Sequence, residues 1–153
     1  MTKKEFIDLV APAAQQACKG TCIFPSVTIA QAILETGWGA HSVGNNLYGI
    51  KATGVSTAYW GGEYVEAKTI EYIGGRKRTI NAKFRKYSSI VNSIKDHNSL
   101  LQLPRYKRVR DSKTAEEQCR MLKVCGYATD PSYSDKLISI IRTNNLKQYD
   151  GED

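Results

Sequence analysis

Glu35 is the residue in this chain best placed to do acid chemistry. It is the only carboxylate in the apolar segment 25–38 (PSVTIAQAILETGW), and Gly37 marks where a helix across that segment should break. On such a helix Thr28, Gln31 and Glu35 fall on one line at i, i+3 and i+7, while Val27, Ile29, Ala30, Ile33 and Leu34 cover the remaining surface. A helix that is apolar nearly all round is buried, so its one polar stripe is expected to face a cleft. A carboxyl group at the lip of such a helix loses part of its hydration, which raises its pKa and lets it hold a proton near neutral pH, as a general acid must. The alternative is an ordinary last-turn glutamate reaching bulk water.

The rest of the chain supplies elements to position that carboxyl. Apolar residues at Phe6, Leu9, Val10, Ala13, Ala14 and Ala17 predict a first helix over residues 3–18, ending at Gly20. Residues 45–54 (NNLYGIKATG) predict a tight, partly buried loop or short strand. Segments 64–73 and 76–87 flank Gly74-Gly75, a hairpin signal because adjacent glycines permit the positive φ angles of a two-residue turn. That turn would set Glu71 opposite Arg78. Ser88 or Ser89 can cap a helix running to about Leu103, stopped by Pro104. Thr114 to Glu117 resembles a capping box for a helix to about Val124, ended by Gly126, and Asp130-Pro131 predicts a cap and first turn for a last helix. The fold class expected is α+β: a mainly helical lobe and a small β-hairpin lobe flanking a groove, in one domain over 1–153 with its core at about 3–146.

Composition bounds the function. Hydrophobic residues at 41% and charged residues at 24% fit a globular protein, and no apolar run is long enough to insert in a membrane. Residues 1–9 (MTKKEFIDL) carry two lysines and then Glu5 and Asp8, so they do not read as a secretory leader; delivery by another route, or a longer parent chain, is implied. A net charge of +7, concentrated in 76–86 and 105–113, favours a polyanionic partner such as nucleic acid or an anionic cell wall. Motifs of nucleic-acid recognition are missing, and no nucleic-acid partner is expected. Cys18, Cys22, Cys119 and Cys125 are spaced too loosely for a usual zinc site, and they fit either disulfides or buried free thiols. His41 and His97 lack metal-ligand spacing and read as structural or surface residues, so neither metal nor cofactor is expected.

Five segments in order, AQAILETGWG (30–39), NNLYGIKA (45–52), TIEY (69–72), KFRKYSS (83–89) and GYATDPSY (126–133), resemble the bacterial N-acetylglucosaminidase domain of peptidoglycan hydrolases, which has a lysozyme-like fold. The resemblance covers about residues 3–146. It implies endo-hydrolysis of the β-1,4 bond between N-acetylglucosamine and N-acetylmuramic acid, with peptidoglycan strands as partner and the bacterial cell wall as the place of action. By position it makes Glu35 the catalytic acid, Glu71 the second carboxylate and Tyr127 a catalytic-site tyrosine. Arg78 would keep Glu71 ionised; the alternative is a plain cross-strand ion pair. As a base, Glu71 would activate a water on the opposite face of the sugar, which needs the two carboxyls about 6.5–9.5 Å apart, in competition with Glu63, Glu66 or the substrate's own 2-acetamido group. Tyr48, Trp38, Trp60 and Tyr133 are candidate sugar-stacking rings and Asn46 a candidate groove residue, although each ring can equally be core and Asn46 a turn cap. Tyr48 stands where the family commonly has phenylalanine. A muramidase or lytic transglycosylase on the same fold is the alternative activity, and a non-catalytic glycan- or nucleic-acid-binding module the alternative class.

Overall fold

The computed structural model describes residues 1–151, and the Glu152 and Asp153 of the tail lie outside them. Helix α1 (Lys3–Cys18) begins with a reciprocal capping box between Thr2 and Glu5 and continues through Pro12, whose ring sits on the exposed side. Helix α2 (Pro25–Thr36) follows, with every residue from Ser26 to Ile33 buried. Proline opens it at the first turn, where no N–H is needed, and Gly37 closes it in the left-handed conformation at φ +56°. Phe24 gives α2 no side-chain cap. The free N–H groups are met from far along the chain instead: Phe24 N donates to Gln118 Oε1 at 2.8 Å and Ser26 N to Asp150 Oδ1 at 2.7 Å, with Ser26 Oγ on Asp150 Oδ2 at 2.6 Å.

Strands β1 (Tyr64–Ile73) and β2 (Arg76–Arg85) form the expected antiparallel hairpin, joined by Gly74 and Gly75 at φ +60° and +76°, with Glu71 opposite Arg78. Residues 50–52 lie along the outer edge of β2, where Lys51 faces Phe84 and Arg85 N donates to Ile50 O at 2.9 Å. Helix α3 (Ile90–Leu100), capped by Ser89, stops short of Leu103, and past its end the Arg110 guanidinium donates to the carbonyls of Leu101 and Leu103 at 2.7 and 2.9 Å. Pro104 then opens a 3-10 turn (Pro104–Tyr106) leading into the short α4 (Lys107–Arg110). Thr114 caps α5 (Ala115–Val124), but Glu117 reaches back to Lys113 N rather than to Thr114 N, so the box is displaced by one residue. The last helix, α6 (Tyr133–Thr143), starts later than Asp130-Pro131 suggested. Asp130 Oδ1 accepts Ser132 N at 2.8 Å, an Asx turn that spends the expected cap before the helix begins. A 3-10 turn (Leu146–Tyr149) ends the chain's regular structure and packs on α2.

The four cysteines are free thiols, Cys18 and Cys119 buried, so the sequence alternative of buried thiols holds for these two. No helix among the described residues is long and apolar enough to cross a membrane.

The hairpin is tied to the helical body at its base by one buried carboxylate. Asp96 of α3, 2% exposed, accepts from Arg85 Nη1 at 2.8 Å, Tyr87 OH at 2.5 Å and Thr57 Oγ1 at 2.7 Å. Arg85 in turn lies 4.1 Å from the Trp60 ring centre and donates to Thr53 O at 2.8 Å. Removing Asp96 strands a cation that is nearly buried, so Asp96→Ala should cost about 3–5 kcal/mol in a urea unfolding titration. A loss under about 1 kcal/mol would mean the network does not hold the hairpin.

Candidate active site

A groove runs between the helical body and the inner face of the hairpin, and Glu35 sits at its middle. One half, about 560 Å³, is lined by Thr36, His41, Asn46, Ala67, Thr69 and Phe84; the other, about 740 Å³, by Tyr48, Ile50, Tyr106, Tyr127, Ala128 and Tyr133. Glu35, Gly49, Lys51 and Glu71 belong to both halves. The first half is polar and the second aromatic.

The polar stripe of α2 does not face this groove as expected. Thr28 and Gln31 are fully buried: Thr28 Oγ1 meets Cys18 Sγ at 3.2 Å, and Gln31 Nε2 donates to Tyr133 OH at 2.9 Å. Only Glu35, one turn further on and next to the breaking glycine, emerges. The residue is solvent-exposed by area, yet its pKa is raised from the ordinary 4.5, burial being the larger cause and a hydrogen bond with Tyr133 the opposing one. Surface area overstates the hydration here, because the exposed surface opens into a groove and not into bulk water. Gln31 occupies the Tyr133 oxygen as a donor, which leaves the tyrosine proton free to point at Glu35.

Glu71 lies on the inner face of β1, side chain 31% exposed, but its ion pair is with Lys51, not with Arg78. The expected cross-strand pair is thus replaced by one across the groove face. Glu66 is exposed on the opposite face of β1, and Glu63 is exposed before the strand begins; neither lines the groove.

Four tyrosines, Tyr48, Tyr106, Tyr127 and Tyr133, line the aromatic half, and the buried His97 packs against two of them. Tyr127 stacks on Tyr133 at 5.8 Å between ring centres, and burial, with Tyr133 and Glu35 nearby, holds its hydroxyl well above the ordinary range. Tyr48, 4% exposed, stacks at 3.8 Å on His97 and gives its hydroxyl to Thr28 O, so one ring face and the polar tip are already taken. His97 meets the edge of Tyr127 and donates from Nδ1 to Asn98 Oδ1 at 3.0 Å; that tautomer follows from Asn98 Nδ2 being committed to Cys18 Sγ. Asn46 lines the groove, but its amide is spent on Ile50 O, Arg85 O and the N–H groups of Tyr48 and Ile50. It pins the loop.

Two sequence candidates are not brought to the groove. Trp38 packs edge-on against Phe6 with Lys3 above its ring, and Trp60 is buried under Arg85 with its Nε1 on Glu63 O. Sequence reading missed Lys51 and Tyr106. Lys51 lies within the NNLYGIKA segment but its reach to Glu71 depends on tertiary shape, and Tyr106 sits in a stretch that looked like a basic loop.

A helical body and a hairpin facing a lone carboxyl-bearing helix end across an open groove define a lysozyme-like α+β domain. The sequence profile described as "Glucosaminidase: Mannosyl-glycoprotein endo-beta-N-acetylglucosaminidase" matches residues 11–146, and the chain belongs to this glucosaminidase family. It is 38% identical to exo-glucosaminidase LytG of Bacillus subtilis over 95% of this chain and 52% of LytG. It is 37% identical to peptidoglycan hydrolase FlgJ of Salmonella typhimurium over 91% of this chain and 45% of FlgJ. The chain therefore spans about half the length of the curated relatives it matches. Among solved structures, the catalytic domain of the autolysin Auto from Listeria monocytogenes superposes with TM-score 0.81 at 34% identity, covering 97% of this chain and 87% of that one. A peptidoglycan hydrolase mutant from Sphingomonas sp. A1 gives 0.80 at 35% identity, covering 95% and 96%.

His97 carries a stability prediction. Burial pushes its pKa from 6.5 down to about 4, so the folded state stays neutral where the unfolded chain takes up a proton. Stability should fall by about 3 kcal/mol as pH drops from 6.5 to 4. In His97→Gln that slope disappears from denaturation curves measured across the same interval; an unchanged slope would place the titrating group elsewhere.

Proposed function

We propose that the chain is an endo-β-N-acetylglucosaminidase that hydrolyses the β-1,4 bond between N-acetylglucosamine and N-acetylmuramic acid in peptidoglycan, acting on the bacterial cell wall. The observation that carries this reading is the position of Glu35, a carboxyl with raised pKa at the junction of two half-grooves. A groove continuing on both sides of the acid accommodates the interior of a polymer, which favours endo cleavage. Two relatives bear names that fit the substrate, peptidoglycan hydrolase FlgJ and exo-glucosaminidase LytG.

In this mechanism the protonated Glu35 donates to the leaving oxygen while charge builds on the sugar as an oxocarbenium-like transition state. Glu71 takes the role of base for a water on the far side of the ring, favoured over Glu63 and Glu66 because it alone of the three lines the groove. Tyr127 and Tyr133 flank the acid, and the Tyr133 hydroxyl opposes the rise in its pKa. Tyr133, Tyr127 and Tyr48 offer ring edges and partial faces to apolar sugar surfaces.

Two measurements test the reading. Digestion of purified walls should expose new N-acetylglucosamine reducing ends; muramic acid or anhydromuramic ends would replace it with the muramidase or transglycosylase reading, in keeping with a relative named a probable N-acetylmuramidase in Lactococcus lactis, 34% identical over 98% of this chain. Glu35→Gln should lower turnover by about 10²–10⁴-fold. The same variant has a thermodynamic signature. A carboxyl whose pKa is raised by folding binds its proton more tightly when folded, so wild-type stability falls as pH rises from 4.5 through the raised value. Glutamine carries no such cost, so the variant should melt higher than wild type at neutral pH and equal to it in acid. Equal melting at both would show that the groove does not desolvate Glu35.

A further inference from the structure

Lys51 has no part in the function proposed above, yet its side chain is the one that touches the second carboxylate. The register of the hairpin makes this contact informative. Val65 pairs with Phe84 in the β ladder, and Phe84 is bridged on its other side by Lys51, so the three residues form one row across the base of the hairpin. Glu71 lies six residues beyond Val65, which in a straight strand is about 20 Å from that row. A lysine and a glutamate side chain cannot span such a gap. Their ion pair therefore requires that the far half of the hairpin curls inward over the groove. Its concave face is built for bending: Ala67 faces Ala82, and Thr69 faces Ile80, between the base row and Glu71.

The two ends of the ion pair are anchored unequally. Lys51 is held by its backbone, with Arg85 N on Ile50 O and Ala52 N on Lys83 O, each at 2.9 Å, and Asn46 Nδ2 also on Ile50 O. Glu71 rides on a strand whose tip is exposed on every described side. Arg78, the cation directly across the ladder from Glu71, would hold the carboxylate on the hairpin itself and would not draw it toward the body. Lys51 does draw it. The pair also falls where the two half-grooves meet, beside Glu35.

We propose that Lys51 is a positioning residue: it fixes the Glu71 carboxylate over the groove and keeps the hairpin curled toward Glu35. A half-exposed pair of this kind adds little to global stability, so its effect is geometric. The inference rests on Glu71 being the second carboxylate, and the test separates the two claims. Turnover of purified peptidoglycan, read as kcat and KM, is compared for wild type, Lys51→Met, Lys51→Arg, Glu71→Gln and the Lys51→Met/Glu71→Gln double variant. Lys51→Met should lose on the order of 10²-fold in kcat with KM little changed, since misplacing a reacting group by about 1 Å costs that much. Lys51→Arg should recover most of it, and the double variant should be no slower than Glu71→Gln alone. In Lys51→Met, amide exchange over residues 69–80 should quicken while α2 keeps its protection.

Wild-type turnover in Lys51→Met beside an impaired Glu71→Gln overturns the role of Lys51 alone. Losses that multiply in the double variant overturn it too, because Lys51 would then act on substrate independently. Unchanged exchange over 69–80 overturns the closure. Full activity in Glu71→Gln is the distinct failure, that of Glu71 itself.

Discussion

Helix α2 has almost no solvent face, and the site follows from that constraint. Ser26 through Ile33 are all buried, so the helix is gripped along two turns and its axial position is set by packing. Glu35 then projects from the last turn, where Gly37 reverses the chain in a left-handed conformation and stops core residues from closing over it. Thr28 and Gln31 are also absorbed by the interior, on Cys18, Asn98 and Tyr133. What reaches the groove is one carboxyl on a rigid post, with a tyrosine from α6 already leaning on it.

The hairpin answers a different problem. A two-stranded ribbon is marginal alone in water, and this one is made usable by its base. Arg85 is pinned between the Trp60 ring and Asp96, and residues 50–52 add a partial third strand to the edge of β2. Beyond that base the inner face carries Ala67, Ala82, Thr69 and Ile80, and the outer face carries exposed residues, among them Lys68 and Ile70. The wall is tied to the body at its base, and beyond it the overhang is held to the body by the Lys51–Glu71 pair.

Local signals made much of this legible in the sequence. The α1 span, the run of α2 from Pro25 to its break at Gly37, the register around Gly74-Gly75 and the Ser89 cap are each written within a few residues of where they act, and the structure reproduces them. The readings that changed depend on distant partners. Trp38 and Trp60 looked like sugar platforms by type, but Phe6 and Arg85 claim them. Arg78 was the obvious partner of Glu71 by ladder position, until curling brought Lys51 closer. Asp130 had the right chemistry to cap α6, and its Asx turn used that chemistry two residues early. Nothing near Phe24 in sequence announces that its helix is capped from the other end of the chain.

That remote cap makes the order of synthesis matter. The N–H groups that open the acid-bearing helix are satisfied by Gln118 and by Asp150, the latter 124 residues downstream. A ribosome delivers Glu35 well before the carboxylate that completes its helix. A nascent chain that has not yet reached Asp150 thus holds Glu35 on a helix whose first turn is still unsatisfied.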